Sequence, residues 1–215
     1  MTIATLRIGR VLHGTTAEGP GFRSAIWFQG CRIQCRGCIN PHLFSERGGT
    51  TVAVDTVISE AVDAGVEGFT LIGGEPFDQA LAGGALARAA QARGLGVIVF
   101  TGYEYESLKN RDADARALLA ATDLLVDGPY LAESPETVRS LVGSSNQRFI
   151  HLTERYATYR PELVANRIDV RILADGSIDV AGFLGNQQLQ ALATATNARR
   201  SSRAGHAAAI ADATS

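Results

Sequence analysis

All three cysteines of this 215-residue chain fall inside eight residues, Cys31-Arg-Ile-Gln-Cys35-Arg-Gly-Cys38. Thiolates at such spacing can hold an iron–sulfur cluster, and a [4Fe-4S] cube ordinarily takes a cysteine at every iron. With no further cysteine in the chain, one iron would keep a position open to a substrate or cofactor, which argues against an ordinary electron-transfer ferredoxin site. A disulfide framework fits poorly, because the count is odd, the spacing is tight and no export signal precedes it. A structural zinc held by the three thiolates and the nearby His42 stays open on the cysteine run alone, since Cys₃His is a known ligand set. The four histidines, His13, His42, His151 and His206, show no metal-like spacing among themselves.

The chain around this motif has an ordinary soluble composition, 46% apolar and 20% charged, with a net charge of −2. That balance offers no basic face for nucleic acid. No apolar run approaches the length needed to span a bilayer, so a cytoplasmic, reduced setting is expected. Short apolar runs at 25–28, 69–72, 97–100, 124–126 and 148–150 alternate with helical patterns at 54–64, 80–92 and 113–121. Strands and helices in that alternation predict βαβ units and a mainly parallel sheet, hence an α/β fold. Segments 167–173 and 177–180 flank Asp175-Gly176, a pair suited to a tight turn, so an antiparallel pair is expected to close one edge. We divide the chain at 1–186, a single catalytic domain, and 187–215, a last helix over 187–199 followed by a frayed Ala- and Ser-rich tail.

A second motif, Gly73-Gly74-Glu75-Pro76, follows directly after the 69–72 strand, at the end where α/β sheets present their binding groups. Two glycines there would let a ligand approach the backbone closely, because no Cβ intervenes. Together with the cysteine run, this motif resembles the radical S-adenosylmethionine (SAM) superfamily. Gly19-Pro20-Gly21-Phe22-Arg23 and Phe28-Gln-Gly-Cys31 are similar to segments of the glycyl-radical-enzyme activases. Phe100-Thr-Gly-Tyr-Glu-Tyr-Glu-Ser-Leu108, Leu125-Val-Asp-Gly-Pro-Tyr-Leu131 and Gly143-Ser-Ser-Asn-Gln-Arg148 resemble the anaerobic ribonucleotide reductase activating proteins. The likeness spans 7–152 with its motifs in the family's order, and weakens beyond.

The resemblance implies a partial (β/α)6-type barrel with a C-terminal antiparallel pair, binding a [4Fe-4S] cluster through Cys31, Cys35 and Cys38. It implies that Gly73, Gly74 and Glu75 meet the amino group of SAM. Asp127, at the end of the 124–126 strand on the same sheet edge, is expected to offer a hydrogen bond toward ribose or substrate, which the resemblance supports, and Thr101, closing its own strand, is a comparable candidate. Arg148 could pair with the SAM carboxylate, whose two oxygens match a guanidinium. Arg23 is expected near the cluster or the partner surface, and Ser144, Ser145 and Asn146 in a loop they shape themselves. Gly37 stands where the wider superfamily often has an aromatic residue, which leaves Tyr103, Phe77 or Tyr130 for adenine stacking. The implied partner is a glycyl-radical enzyme, with a reductant such as flavodoxin or ferredoxin. The alternative is a radical SAM enzyme acting on a small molecule, for example a sugar epimerase; such an enzyme often needs a spare thiol to return hydrogen, and the cluster takes all three. A zinc-stabilised interaction domain would leave the GGEP strand end unexplained.

Overall fold

The computed structural model describes residues 4–183 and Thr194. Seven strands form one sheet, in the spatial order Thr50–Ala53, Thr5–Thr15, Arg23–Phe28, Gly68–Gly73, Gly96–Phe100, Leu124–Asp127 and Arg148–His151. Its centre is parallel: β2 (Arg23–Phe28), β4 (Gly68–Gly73), β5 (Gly96–Phe100) and β6 (Leu124–Asp127) lie side by side in chain order. The crossovers run through α1 (Val54–Asp63), α2 (Ala80–Gln91), and the pair α3 (Tyr105–Asn110) and α4 (Ala113–Ala120). Antiparallel strands flank this centre, β1 (Thr5–Thr15) and β3 (Thr50–Ala53) on one side and β7 (Arg148–His151) on the other. The fold is therefore mixed α/β with a parallel core of four strands.

Alternate strand residues explain why these runs read as continuously apolar. Ile26, Phe28, Phe69, Leu71, Val97, Val99 and Leu125 join Val57, Ile58, Leu86, Ala90 and Leu118 of the helices in the main core. Their neighbours Ala25 and Trp27 belong to a second cluster with Leu12, Leu43 and Ala181. Strands covered on both faces lose the polar alternation of a half-exposed sheet.

The hairpin of β8 (Ile168–Ile172) and β9 (Ile178–Gly182) forms where its turn residues predict, but as a separate two-stranded sheet rather than an added edge of the main one. It docks on β1 through polar contacts. Arg10 stacks over Trp27 at 4.4 Å, donates to the Val180 carbonyl at 2.8 Å and pairs with Asp179 at 2.7 Å. Arg171 donates to the carbonyls of His13 and Gly14. On β8 the charged Asp169 and Arg171 are the half-buried residues, whereas Ile168, Val170 and Ile172 are exposed.

The first strand, β1, has no counterpart among the sequence expectations. Bulges between Ile8 and Arg10 and between Leu12 and Thr15 interrupt its alternation, and Gly9 adds a further break. The expected helix over 187–199 and the tail fall outside the described residues, Thr194 apart. Among the described residues no helix is long and apolar enough to cross a membrane.

Arg23 is 1% exposed at the N-terminal end of β2, opposite to the strand ends that carry the cysteines, which corrects its expected place near the cluster. All five guanidinium donors are used, on Thr70 Oγ1, Tyr156 Oη and the carbonyls of Pro20, Phe69 and Gly96. A buried charge is tolerable only when every donor is satisfied. Glycines make the room: a Cβ at Gly96 would sit 2.2 Å from Tyr156 Oη, and one at Gly68 would sit 2.3 Å from the Gly96 carbonyl. Tyr156→Phe strands one of these donors, so unfolding in denaturant is expected to lose about 1–3 kcal/mol with an unchanged slope. Because Tyr156 lies at the far end of the sheet, cluster content should stay at the wild-type level; a loss of iron in this variant would contradict the placement.

Candidate active site

The chain leaves β2 at Phe28 into a loop that carries all three cysteines over the C-terminal ends of the parallel strands. Gly30 takes a φ of +98° and its N–H donates to the Leu43 carbonyl, while Cys31 N–H donates to Phe44. Gln29 closes the same return by donating to the Ser45 carbonyl at 2.7 Å. Positive φ at Gln34 (51°) and Gly37 (79°) turns the segment between the cysteines. Ile33 packs onto Gly102 beyond β5, and Gly37 faces Tyr130 and Ala132 beyond β6. The cysteine loop therefore leans across the mouths of the neighbouring strands.

The three thiols are unbridged and partly exposed. Burial pushes the Cys31 thiol up, against the N–H groups of Gln34 and Ile33 that bond to its sulfur. Burial likewise raises Cys38, whose sulfur accepts the Asn40 N–H at 3.4 Å. Amide donors aimed at sulfur suit thiolates that ligate a cluster, where hydrogen bonds to the sulfurs help set the potential. Among the described residues no three His, Cys, Asp or Glu side chains gather around one metal ion. Three unbridged thiols on one loop, with amide donors aimed at the sulfurs of Cys31 and Cys38, are a donor set that fits a cube. His42 is exposed on the turn Pro41–Leu43.

The strand end after β4 is joined to this loop by backbone. Gly74 N–H donates to the Phe28 carbonyl and Glu75 N–H to the Gly30 carbonyl, both at 2.8 Å. A Cβ at Gly74 would lie 2.2 Å from the Gly30 oxygen, and one at Gly73 2.6 Å from Trp27 Cα. The close approach these glycines permit is thus to the end of β2 and to the base of the cysteine loop that follows it, a reason the sequence alone does not reveal. The Glu75 side chain is 1% exposed and accepts from Phe77 N–H, Thr101 Oγ1 and Gly102 N–H at 2.9, 2.8 and 3.0 Å. Burial pushes its carboxyl up to about 7, with the three donors pulling the other way. Glu75 thereby ties the end of β4 to the end of β5, and Thr101 faces it.

Asp127 and Arg148 meet each other. Asp127 is fully buried, and its oxygens accept from Tyr105 N–H at 2.8 Å and from Arg148 Nε at 2.9 Å. Arg148 Nη2 also reaches Asp127 and Glu106, and the paired carboxylates hold the guanidinium firmly charged. Here both groups are committed to protein partners, and they anchor α3 and β7 to the end of β6. Segment 143–147 braces the loop beyond β6: Gln147 accepts from the Gly143 and Ser144 N–H groups, Ser144 Oγ from Leu131 N–H, and Asn146 Nδ2 donates to Pro129. Asn146 Oδ1 is buried with no hydrogen-bond partner. Of the aromatic candidates, Phe77 is buried, Tyr103 is stacked by Arg111 at 4.7 Å, and Tyr130 lies beside Gly37. Sequence reasoning missed Asp78 and Gln79, which bond to Arg32, Tyr103, Arg7 and Gln29; their place directly after the GGEP turn was the available signal.

Two outcomes follow from the joint. Gly74→Ala drives a methyl into the Gly30 carbonyl, so a loss of about 1–3 kcal/mol is expected together with reduced iron uptake; full iron content at wild-type stability would refute the contact. Glu75 has a folded pKa near 7, above its ordinary 4.5. The folded state then holds the extra proton between those values, so Glu75's contribution to stability falls as pH rises through that window and is flat above it. Denaturation of wild type minus Glu75→Gln should isolate this falling slope, and a parallel pair of pH profiles would contradict it.

Residues 17–150, more than half of the chain, match the family described as a 4Fe-4S single cluster domain. The chain is 30% identical over 139 residues to the anaerobic ribonucleoside-triphosphate reductase-activating protein of Vibrio cholerae, covering 60% of this chain and 88% of that protein. It is 29% identical over 141 residues to the protein of the same name from Enterobacteria phage T4, covering 61% and 85%. The pyruvate formate-lyase-activating enzyme of Listeria monocytogenes is 35% identical over 85 residues, covering 37% and 34%. The chain belongs to the 4Fe-4S single cluster family and, within it, to the glycyl-radical activase branch of the radical SAM enzymes, whose cofactors are a [4Fe-4S] cluster and SAM.

Proposed function

We propose that this enzyme reductively cleaves SAM and uses the product radical to take a hydrogen atom from a glycine of a partner protein, an anaerobic ribonucleotide reductase or a related glycyl-radical enzyme. The observation that carries the reading is the cysteine loop welded by Gly74 and Glu75 to the mouths of β4 and β5. Relatives bearing the activating-protein name are covered over 88% and 85% of their length, which supports the same conclusion.

Cys31, Cys35 and Cys38 are assigned as the cluster ligands, with the fourth iron left for the amino and carboxylate groups of SAM. The cluster, when bound, supplies one electron to the sulfonium, giving methionine and a 5′-deoxyadenosyl radical. That electron comes from a separate reductant such as flavodoxin or ferredoxin. Abstraction of the glycine Cα hydrogen then yields 5′-deoxyadenosine and leaves the radical on the partner. The Gly73–Glu75 backbone is assigned to the SAM amino group, with Thr101 behind it. Asp127 flanks the site from the end of β6, and Arg148 would meet the SAM carboxylate by exchanging one of its present carboxylate partners. In this proposal the parallel strands and their neighbours form an open partial barrel of the (β/α)6 type.

Anaerobic reconstitution is expected to load about four irons and about four sulfides per chain, and Cys35→Ala to load none. SAM should change the electron paramagnetic resonance spectrum of the reduced cluster, since ligation at an iron alters its surroundings. Adding the partner and a reductant should yield a glycyl radical doublet on the partner. One zinc without sulfide after anaerobic purification, or a spectrum indifferent to saturating SAM, would overturn the proposal.

A further inference from the structure

Asp78 sits in the short helical turn Pro76–Gln79, and its carboxylate does not serve that turn: Glu75 is the side chain that accepts the Phe77 N–H. Asp78 reaches outward. Its side chain is 7% exposed, with Arg111 Nη2 at 3.5 Å. Oδ2 accepts the Arg32 N–H at 2.9 Å, and Oδ1 accepts the Tyr103 hydroxyl at 2.9 Å. Arg111 covers the Tyr103 ring at 4.7 Å, which completes the group. One nearly buried carboxylate thus joins the loops that follow β2, β4 and β5.

We infer that Asp78 is a positioning residue for the cluster, fixing the backbone at Cys31 and supplying negative charge beside it. The inference rests on the cluster reading above and goes beyond it by assigning a residue outside the cysteine and GGEP motifs. Arg32 directly follows Cys31, so the Asp78 contact holds the ligand from one side while Cys31 N–H, donating to Phe44, holds it from the other. The Arg32 side chain itself turns away toward Glu46, at 3.3 Å, and leaves the amide contact as its tie to the strand ends. Partners that orient a metal ligand commonly matter almost as much as the ligand. A fixed anion near the cluster also opposes the electron that reduction adds, so it makes the reduced cluster a stronger donor. Arg111 offsets part of that charge at Oδ1, while Oδ2 takes the Arg32 N–H.

Three substitutions separate the two roles. Asp78→Asn keeps an oxygen for Arg32 N–H and an N–H for the Tyr103 oxygen but removes the charge; iron should leave to a chelator near the wild-type rate, while the midpoint potential shifts positive. Asp78→Ala removes both, so iron should leave about tenfold faster or more. Amide exchange at Arg32 should also speed up in the metal-free protein. Tyr103→Phe keeps the charge and the Arg32 contact and should change neither reading. Wild-type iron retention and amide protection in Asp78→Ala, or an unmoved potential in Asp78→Asn, would overturn the inference. A wild-type protein that loads no iron would instead refute the cluster reading, and the Arg32 exchange measurement would still decide whether Asp78 holds the loop.

Discussion

Two backbone hydrogen bonds, from Gly74 to Phe28 and from Glu75 to Gly30, are the joint on which the site depends. They can form only because no Cβ stands at position 74, where one would overlap the Gly30 oxygen at 2.2 Å. The joint locks the end of β4 onto the first residues of the cysteine loop. From there Glu75 extends to the end of β5, and Gln79 reaches the carbonyls of Gln29 and Arg7. A site assembled from several strand ends needs such ties, because small displacements of reacting groups cost much of the rate.

The two ends of the sheet carry different burdens. At the N-terminal end Arg23 satisfies all its donors among Thr70, Tyr156 and three carbonyls, far from any cysteine, and stabilises the fold. At the C-terminal end, polar groups sit in loops that lean on one another, with Asn146 Oδ1 buried and unpaired. Sheets of parallel strands commonly divide stability and chemistry in this way, because the loops after the strands vary while the opposite end stays packed. Burial raises Glu75 toward neutrality in the same region, and such tuned groups gather where function is placed.

Much of this architecture is legible in the chain. The parallel strands declare themselves as apolar runs because both faces are covered, and the cysteine and GGEP motifs fall at strand ends as expected. What the residues hide is partnership. Asp127 and Arg148 are candidates for ligand contacts by type and position, yet they bind each other, a pairing across antiparallel strands that spacing does not disclose. The glycines of the strand end read as room for a ligand; they also admit the β2 backbone at Gly73 and the Gly30 carbonyl at Gly74, contacts that spacing does not disclose. The bulged first strand escaped because its periodicity is broken, and the hairpin was misplaced because it docks through Arg10 and Arg171 with Ala181 as its buried apolar contact, a pattern without a continuous apolar face.

In the proposed function these contacts would position a cluster that serves a partner's glycine, and the origin of the abstracted hydrogen tests that account most directly. With SAM, a one-electron reductant and a partner glycyl-radical enzyme deuterated at its glycine, the account predicts deuterium in the 5′-deoxyadenosine formed. Deuterium arriving instead from a labelled sugar or other metabolite, with no partner protein present, would contradict it.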